Sequence, residues 1–230
     1  MKKTLILTLI IFFGCQLAYA EKKSSTCYGT TKDGRLENGW QLPSSGKNFE
    51  AYSSLGVILG RNYVHSKVYE VVVAAYKTLE SSAPEKVFVY GESGFKEGGR
   101  FRPHKTHANG LSVDFFVPVV NQAGGSVKLP ISPLNKFGYS IEFNQNAQYN
   151  DLALDFEAMA KHLLAIKQAA DAHSVGIGVV IFDNSFQEKL FATPTGKKLP
   201  ELMRFSVKQP WVRHDEHYHI DFEVKCAVGR

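Results

Sequence analysis

Apolar residues recur at three- and four-residue spacing in two stretches of the chain. Val68, Val71, Val72, Ala75, Tyr76 and Leu79 predict an amphipathic helix within 63–82, stopped by Pro84. Phe156, Met159, Leu163, Ile166 and Ala170 predict a second. Short apolar runs at 86–90, 111–119 and 175–182 read as strands, and 185–191 as a short helix. From His217 the chain alternates: His217, His219, Asp221 and Glu223 fall on one face, and Tyr218, Ile220, Phe222 and Val224 on the other. A two-residue period puts one row in the core and the other in solvent or a cleft. By contrast, 21–48 is polar and rich in Gly, Ser and Lys, a surface segment. The stretch 92–109 is a Gly/Arg/His loop without apolar periodicity, and 121–150 is a loop-rich insertion. Strands and helices intermix without a strict βαβ rhythm. The expected fold is therefore α+β, a mostly antiparallel central sheet flanked by helices.

The first twenty residues stand apart. Lys2 and Lys3 precede a short apolar run over 5–13, and Ala18-Tyr19-Ala20 closes the segment. A basic start, an apolar core and a small-x-small site are the parts of a secretory signal, with cleavage after Ala20. The run is shorter than the roughly 20 apolar residues of a spanning helix, so no stable membrane insertion is expected afterwards. Lipidation at Cys15 is the rival reading, disfavoured because Phe12-Phe13-Gly14 lacks the usual aliphatic residue upstream. Residues 21–230 then form one domain. Removing Lys2 and Lys3 leaves 25 basic against 22 acidic residues, lowering the net charge from +5 to +3. With Lys and Arg dispersed, this is too weak a bias to indicate nucleic-acid binding. Two cysteines remain, Cys27 and Cys226, and an isolated pair in an oxidising compartment usually bonds; two free buried thiols are the alternative.

The chemistry lies in the histidines. Of eight, five fall in two windows, His104 and His107, then His214, His217 and His219; His65, His162 and His173 read as surface or satisfied residues. His107 precedes Asp114 by seven residues, and His219 lies on the open face of the last strand. Two imidazoles and a carboxylate form a common three-ligand set for catalytic Zn²⁺, leaving a fourth position to water. Such a metal lowers the pKa of water and polarises a carbonyl, as hydrolysis requires. His217 shares a face with His219 and is preferred as general base; Glu216 is the alternative if a bulge turns it inward. His214 would contact substrate or support the site. His104, Arg100 and Arg102 flank it and could hold a substrate carboxylate; surface arginines touching nothing are the equal alternative for Arg100 and Arg102. A closed structural zinc site or a solvated polar edge is the competing account of the cluster.

Gly98-Gly-Arg-Phe101, His104-x-x-His107-x-x-Gly-Leu-x-Val-Asp114, Pro210-Trp211 and His214-x-x-His217-x-His219 closely resemble the penicillin-insensitive murein endopeptidases. Asn38-Gly39, Arg61-Asn-Tyr63 and Ile181-Phe-Asp183 extend the resemblance over most of residues 21–230. It implies zinc held by His107, Asp114 and His219, with His104, His214 and His217 around it. It also implies a periplasmic hydrolase of D-amino-acid peptide bonds in peptidoglycan, typically the D-alanyl–diaminopimelyl cross-link. The resemblance also allows further metal contacts after the Asp of the first motif, but 115–150 holds no His or Asp and a single Glu, Glu142, so one metal per chain is expected. A carboxypeptidase or dipeptidase of the same group, or a non-catalytic wall- or zinc-binding protein, remain alternatives.

Overall fold

The computed structural model describes residues 22–208 and 212–228. The expected signal segment with Cys15, and Pro210-Trp211, lie outside the described residues.

The chain opens with a hairpin of β1 (Thr26–Gly29) and β2 (Gly34–Glu37). It continues through β3 (Trp40–Gln41), β4 (Phe49–Ala51), helix α1 (Ser54–Ile58), β5 (Tyr63–Val64) and helix α2 (Ser66–Ser82). Next come β6 (Phe88–Tyr90), β7 (Ser112–Phe116), β8 (Val119–Val120), β9 (Ser126–Val127), β10 (Gln148–Tyr149) and β11 (Leu152–Leu154). Helix α3 (Phe156–Ala172), β12 (Gly176–Ile181), α4 (Asn184–Phe191), the short α5 (Leu199–Leu202) and β13 (His217–Glu223) complete the described elements.

A five-stranded sheet, β12-β13-β7-β6-β4, carries the fold. Its pairs are antiparallel except β4–β6. Helices α2 and α3 pack on each other. The apolar row of α2 and the Met159, Leu163 and Ile166 row of α3 are buried in the common core with Phe88, Val113, Phe115, Tyr218, Ile220 and Phe222. The α+β expectation holds. α3 starts on Asp155, whose side chain accepts from the Ala158 N–H, satisfying a donor left free at the helix start.

Three expectations are corrected. The polar 21–48 stretch is a hairpin that buries Cys27 and Leu36, followed by a buried Leu42, because few apolar residues suffice where a disulfide fastens the strand. Cys27 and Cys226 are bonded across a sequence separation of 199. The first helix begins at Ser66, not at 63, because Tyr63 and Val64 pair with Gln41 and Trp40. The 111–119 run divides after Phe116, and its last residue moves into a small four-stranded sheet, β10-β11-β8-β9. The 121–150 insertion therefore carries two short strands of its own, β9 and β10.

Candidate metal centre

Asp114 lies at the middle of β7, directly opposite His219 of β13 in the antiparallel register. That register fixes the pair as neighbours, and the alternation of β13 sends Tyr218, Ile220 and Phe222 into the core behind them. His107 approaches from the loop joining β6 and β7. It has φ +75°, in the left-handed region that costs a non-glycine residue on the order of 1 kcal/mol. This conformation is held in part by the His107 Nδ1–H, which donates to the Ser93 carbonyl at 2.9 Å. His104 comes from the same loop, and His214 and His217 from the approach and start of β13.

Each histidine nearest Asp114 is held from behind by an oxygen. His104 Nε2 donates to Glu92 Oε2 at 2.6 Å, and His217 Nδ1 faces Glu216 Oε1 at 2.9 Å. His219 Nε2 faces Asp221 Oδ1 at 2.9 Å. These partners select the tautomer and leave the opposite nitrogen of each ring turned to Asp114. His104 Nδ1 is 3.5 Å from Oδ2, His107 Nε2 3.4 Å from Oδ1, His217 Nε2 4.0 Å from Oδ2 and His219 Nδ1 2.8 Å from Oδ1. Carboxylate or carbonyl oxygens behind imidazoles are the arrangement that orients metal-binding histidines.

The backing oxygens are themselves anchored. Glu92 accepts from Tyr52 Oη at 2.8 Å and from both Nε and a terminal nitrogen of Arg61. Burial would raise its pKa, but His104 and Arg61 bring it down to about 2. Asp221 accepts from Ser112 Oγ at 2.5 Å. Tyr139, from the 121–150 insertion, donates to Asp114 Oδ2 at 3.1 Å.

The electrostatics of the cluster centre on Asp114. Burial favours a neutral Asp114, yet the surrounding histidines, His107 and His217 foremost, hold its carboxyl well below the usual range. Burial also opposes protonation of His219, but Asp221 and Asp114 push its pKa up to about 10. His107, fully buried, is lowered by burial, and its Nε2 has no hydrogen-bond partner. A ring whose proton is committed to Ser93 and whose buried lone pair faces a carboxylate is suited to a cation. His104, His107 and Asp114 offer ligand atoms within 4.8 Å of one another, a group that can hold a metal ion. His219 Nδ1 touches the same Asp114 oxygen that faces His107, so a cation beside that oxygen would replace the shared proton. The residues fit a metal.

His214, His217 and His219 line a cleft of about 470 Å³ with His104, Asp114 and Tyr139. Burial lowers the His214 pKa to about 4; its Nδ1–H donates to the Val212 carbonyl at 2.8 Å, leaving Nε2 an acceptor. Glu216 is buried, does not line the cleft, and lies behind His217. Arg100 and Arg102 are exposed and line an adjoining groove of about 730 Å³ rather than the cleft. The two depressions share the wall formed by Lys32 and residues 103–106. Sequence reasoning missed Glu92 and Tyr139. Glu92 follows the 86–90 strand without a motif, and a phenol is invisible to a search for His, Asp and Glu.

Compared with known proteins, residues 27–230 match the family model described as penicillin-insensitive murein endopeptidase. No curated protein matches the chain.

Proposed function

The chain belongs to the penicillin-insensitive murein endopeptidase family, and we propose that it is a zinc-dependent D,D-endopeptidase that hydrolyses D-alanyl–diaminopimelyl cross-links of peptidoglycan in the periplasm. His107 through Nε2, Asp114 through Oδ1 and His219 through Nδ1 would hold the metal. The observation that carries this reading is the ring of histidines around Asp114, each with its remote nitrogen tied to an oxygen and its other nitrogen turned inward. Zinc supplies Lewis-acid chemistry at such a site, bringing a water towards neutral pKa and polarising a carbonyl.

The protein's own groups do the rest. His217 presents Nε2 to the cleft while Glu216 holds its Nδ1, so His217 takes the proton of the attacking water and returns it to the departing amine. Glu216 orients that ring. His214 offers an acceptor nitrogen to a substrate N–H. The adjoining groove supports an endopeptidase over a carboxypeptidase, because chain can continue past the His104 wall on one side of the scissile bond. The proposal includes an export signal over residues 1–20 and one mature domain over 21–230; N-terminal sequencing of the exported protein should begin at Glu21.

Mass spectrometry of digested cross-linked muropeptides tests the activity. Dimers should split to monomers, chelator should stop the reaction, and added zinc should restore it. Release of a terminal D-alanine from pentapeptide with dimers left intact would transfer the activity to a carboxypeptidase. Full activity of a His107→Ala variant would overturn the metal assignment.

A further inference from the structure

The cleft carries a charge pattern that the hydrolytic groups do not use. Lys32 from the β1–β2 turn, Lys136 from the insertion and Lys208 from the segment before β13 all line it, together with Lys105. Lys32, Lys136 and Lys208 come from distant parts of the sequence and line the same opening. The sole carboxylate among the described lining residues is Asp114, within the metal centre. Lys32, Lys136 and Lys208 are exposed, and their side chains pair with no acidic group among the described residues. Lys136 also holds φ +54°, a conformation that favours glycine, although a lysine stands there. The mature chain has an excess of only three positive charges, yet three such lysines border this one depression. Charge of one sign around a concave, low-dielectric surface attracts ligands of the opposite sign and orients them on approach.

We propose that Lys32, Lys136 and Lys208 are specificity-determining residues that read free carboxylates on the peptide chains flanking the scissile bond, so that acidic stem peptides are preferred over amidated ones. The inference rests on the endopeptidase reading, since an amide bond to the side-chain amine of a diaminopimelyl residue lies beside that residue's free carboxylate. It is separate from the expectation for Arg100 and Arg102, which line the adjoining groove. An exposed ion pair contributes little alone, and three acting together amount to about tenfold in kcat/KM.

The test uses the zinc-loaded enzyme and two synthetic cross-linked dimers, one with free carboxylates and one with those carboxylates amidated. Wild type should cleave the free form about tenfold more efficiently, and the preference should shrink as salt rises. A Lys32→Gln/Lys136→Gln/Lys208→Gln variant should lose the preference while cleaving the amidated dimer at the wild-type rate. Equal kcat/KM for both dimers in wild type, or an unchanged preference in the triple variant, would overturn the proposal. If neither dimer is cleaved, the endopeptidase reading fails instead. Calorimetric titration of both dimers then decides the lysine proposal: tighter binding of the free form, lost in the triple variant, supports it, and equal binding sinks it.

Discussion

Replacing His162 by glutamine should make the protein less sensitive to acid. His162 sits within α3, fully buried, with Nδ1 accepting from Tyr218 Oη at 2.5 Å and the ring among Tyr76, Phe88 and Phe115. Burial lowers its pKa from 6.5 to about 3, so the folded protein keeps this ring neutral over a range in which the unfolded chain protonates it. The unfolded state then binds more protons, and stability falls as pH drops from about 6.5 towards about 3. Above pH 6.5 the group contributes no pH dependence. Linkage with these two values gives a loss of about 2 kcal/mol at pH 5 and about 3 kcal/mol at pH 4, relative to pH 8. Other buried groups titrate as well, so the quantity to measure is the difference between wild type and His162→Gln. Urea unfolding at pH 8 and pH 5 supplies it. The glutamine carbonyl keeps an acceptor for Tyr218, and any packing cost is the same at both pH values. The difference between the proteins should therefore shift by about 2 kcal/mol in favour of the variant at pH 5. An unchanged difference would show that His162 is not held neutral in the core, and the argument would fail.

Three further outcomes follow from the site and the termini. His219→Ala should abolish tight zinc binding, and Asp221→Asn, which leaves the ligand but weakens its support, should lower zinc affinity by roughly 10–100-fold in a chelator competition. His217→Ala should keep its zinc and lose a factor of about 10²–10⁴ in kcat; Glu216→Gln should lose less, and the reverse order would make Glu216 the base. Reducing the Cys27–Cys226 bond releases a loop of sequence separation 199, worth about 5 kcal/mol in the chain-entropy model. A Cys27→Ser/Cys226→Ser variant should show a loss of about 2–5 kcal/mol in denaturant unfolding, and no loss would mean that the ends are held by other contacts.

What the sequence made legible is what periodicity encodes. The apolar rows of α2 and α3 and the alternation of β13 each repeat a contact several times, so the pattern survives without knowledge of the partner. His107, Asp114, His217 and His219 were legible for a related reason, as chemically distinctive residues at short spacing. The anchoring residues were not. Glu92 reaches His104 across twelve residues of aperiodic loop, and its burial depends on Arg61 and Tyr52 arriving from another segment. Arg100 and Arg102 were chosen for charge and nearness in sequence, yet the loop turns them into the adjoining groove. Tyr139 depended on where a long insertion folds back, which local composition does not specify.

The dependence of the site on the sheet explains why a core histidine bears on a cleft at the other face of β13. Side chains alternate along that strand, so a slip of one residue against β7 would send His217 and His219 into the core and Tyr218 into the cleft. Three observations oppose the slip. Tyr218, Ile220 and Phe222 fill the core side, the irregularity between Ile177 and Val179 marks one alignment with β12, and Tyr218 Oη is bonded to His162 of α3. The last is the directional contact, because a shifted strand would carry the Tyr218 hydroxyl away and leave the buried Nδ1 of His162 without its partner, at a cost of about 1–3 kcal/mol. The helix thus holds from behind the register that sets His219 opposite Asp114. A metal at that pair would add its binding energy to the same alignment, so Tyr218→Phe should lower both stability in urea unfolding and zinc affinity in a chelator competition, and a loss of stability with unchanged zinc affinity would refute the link.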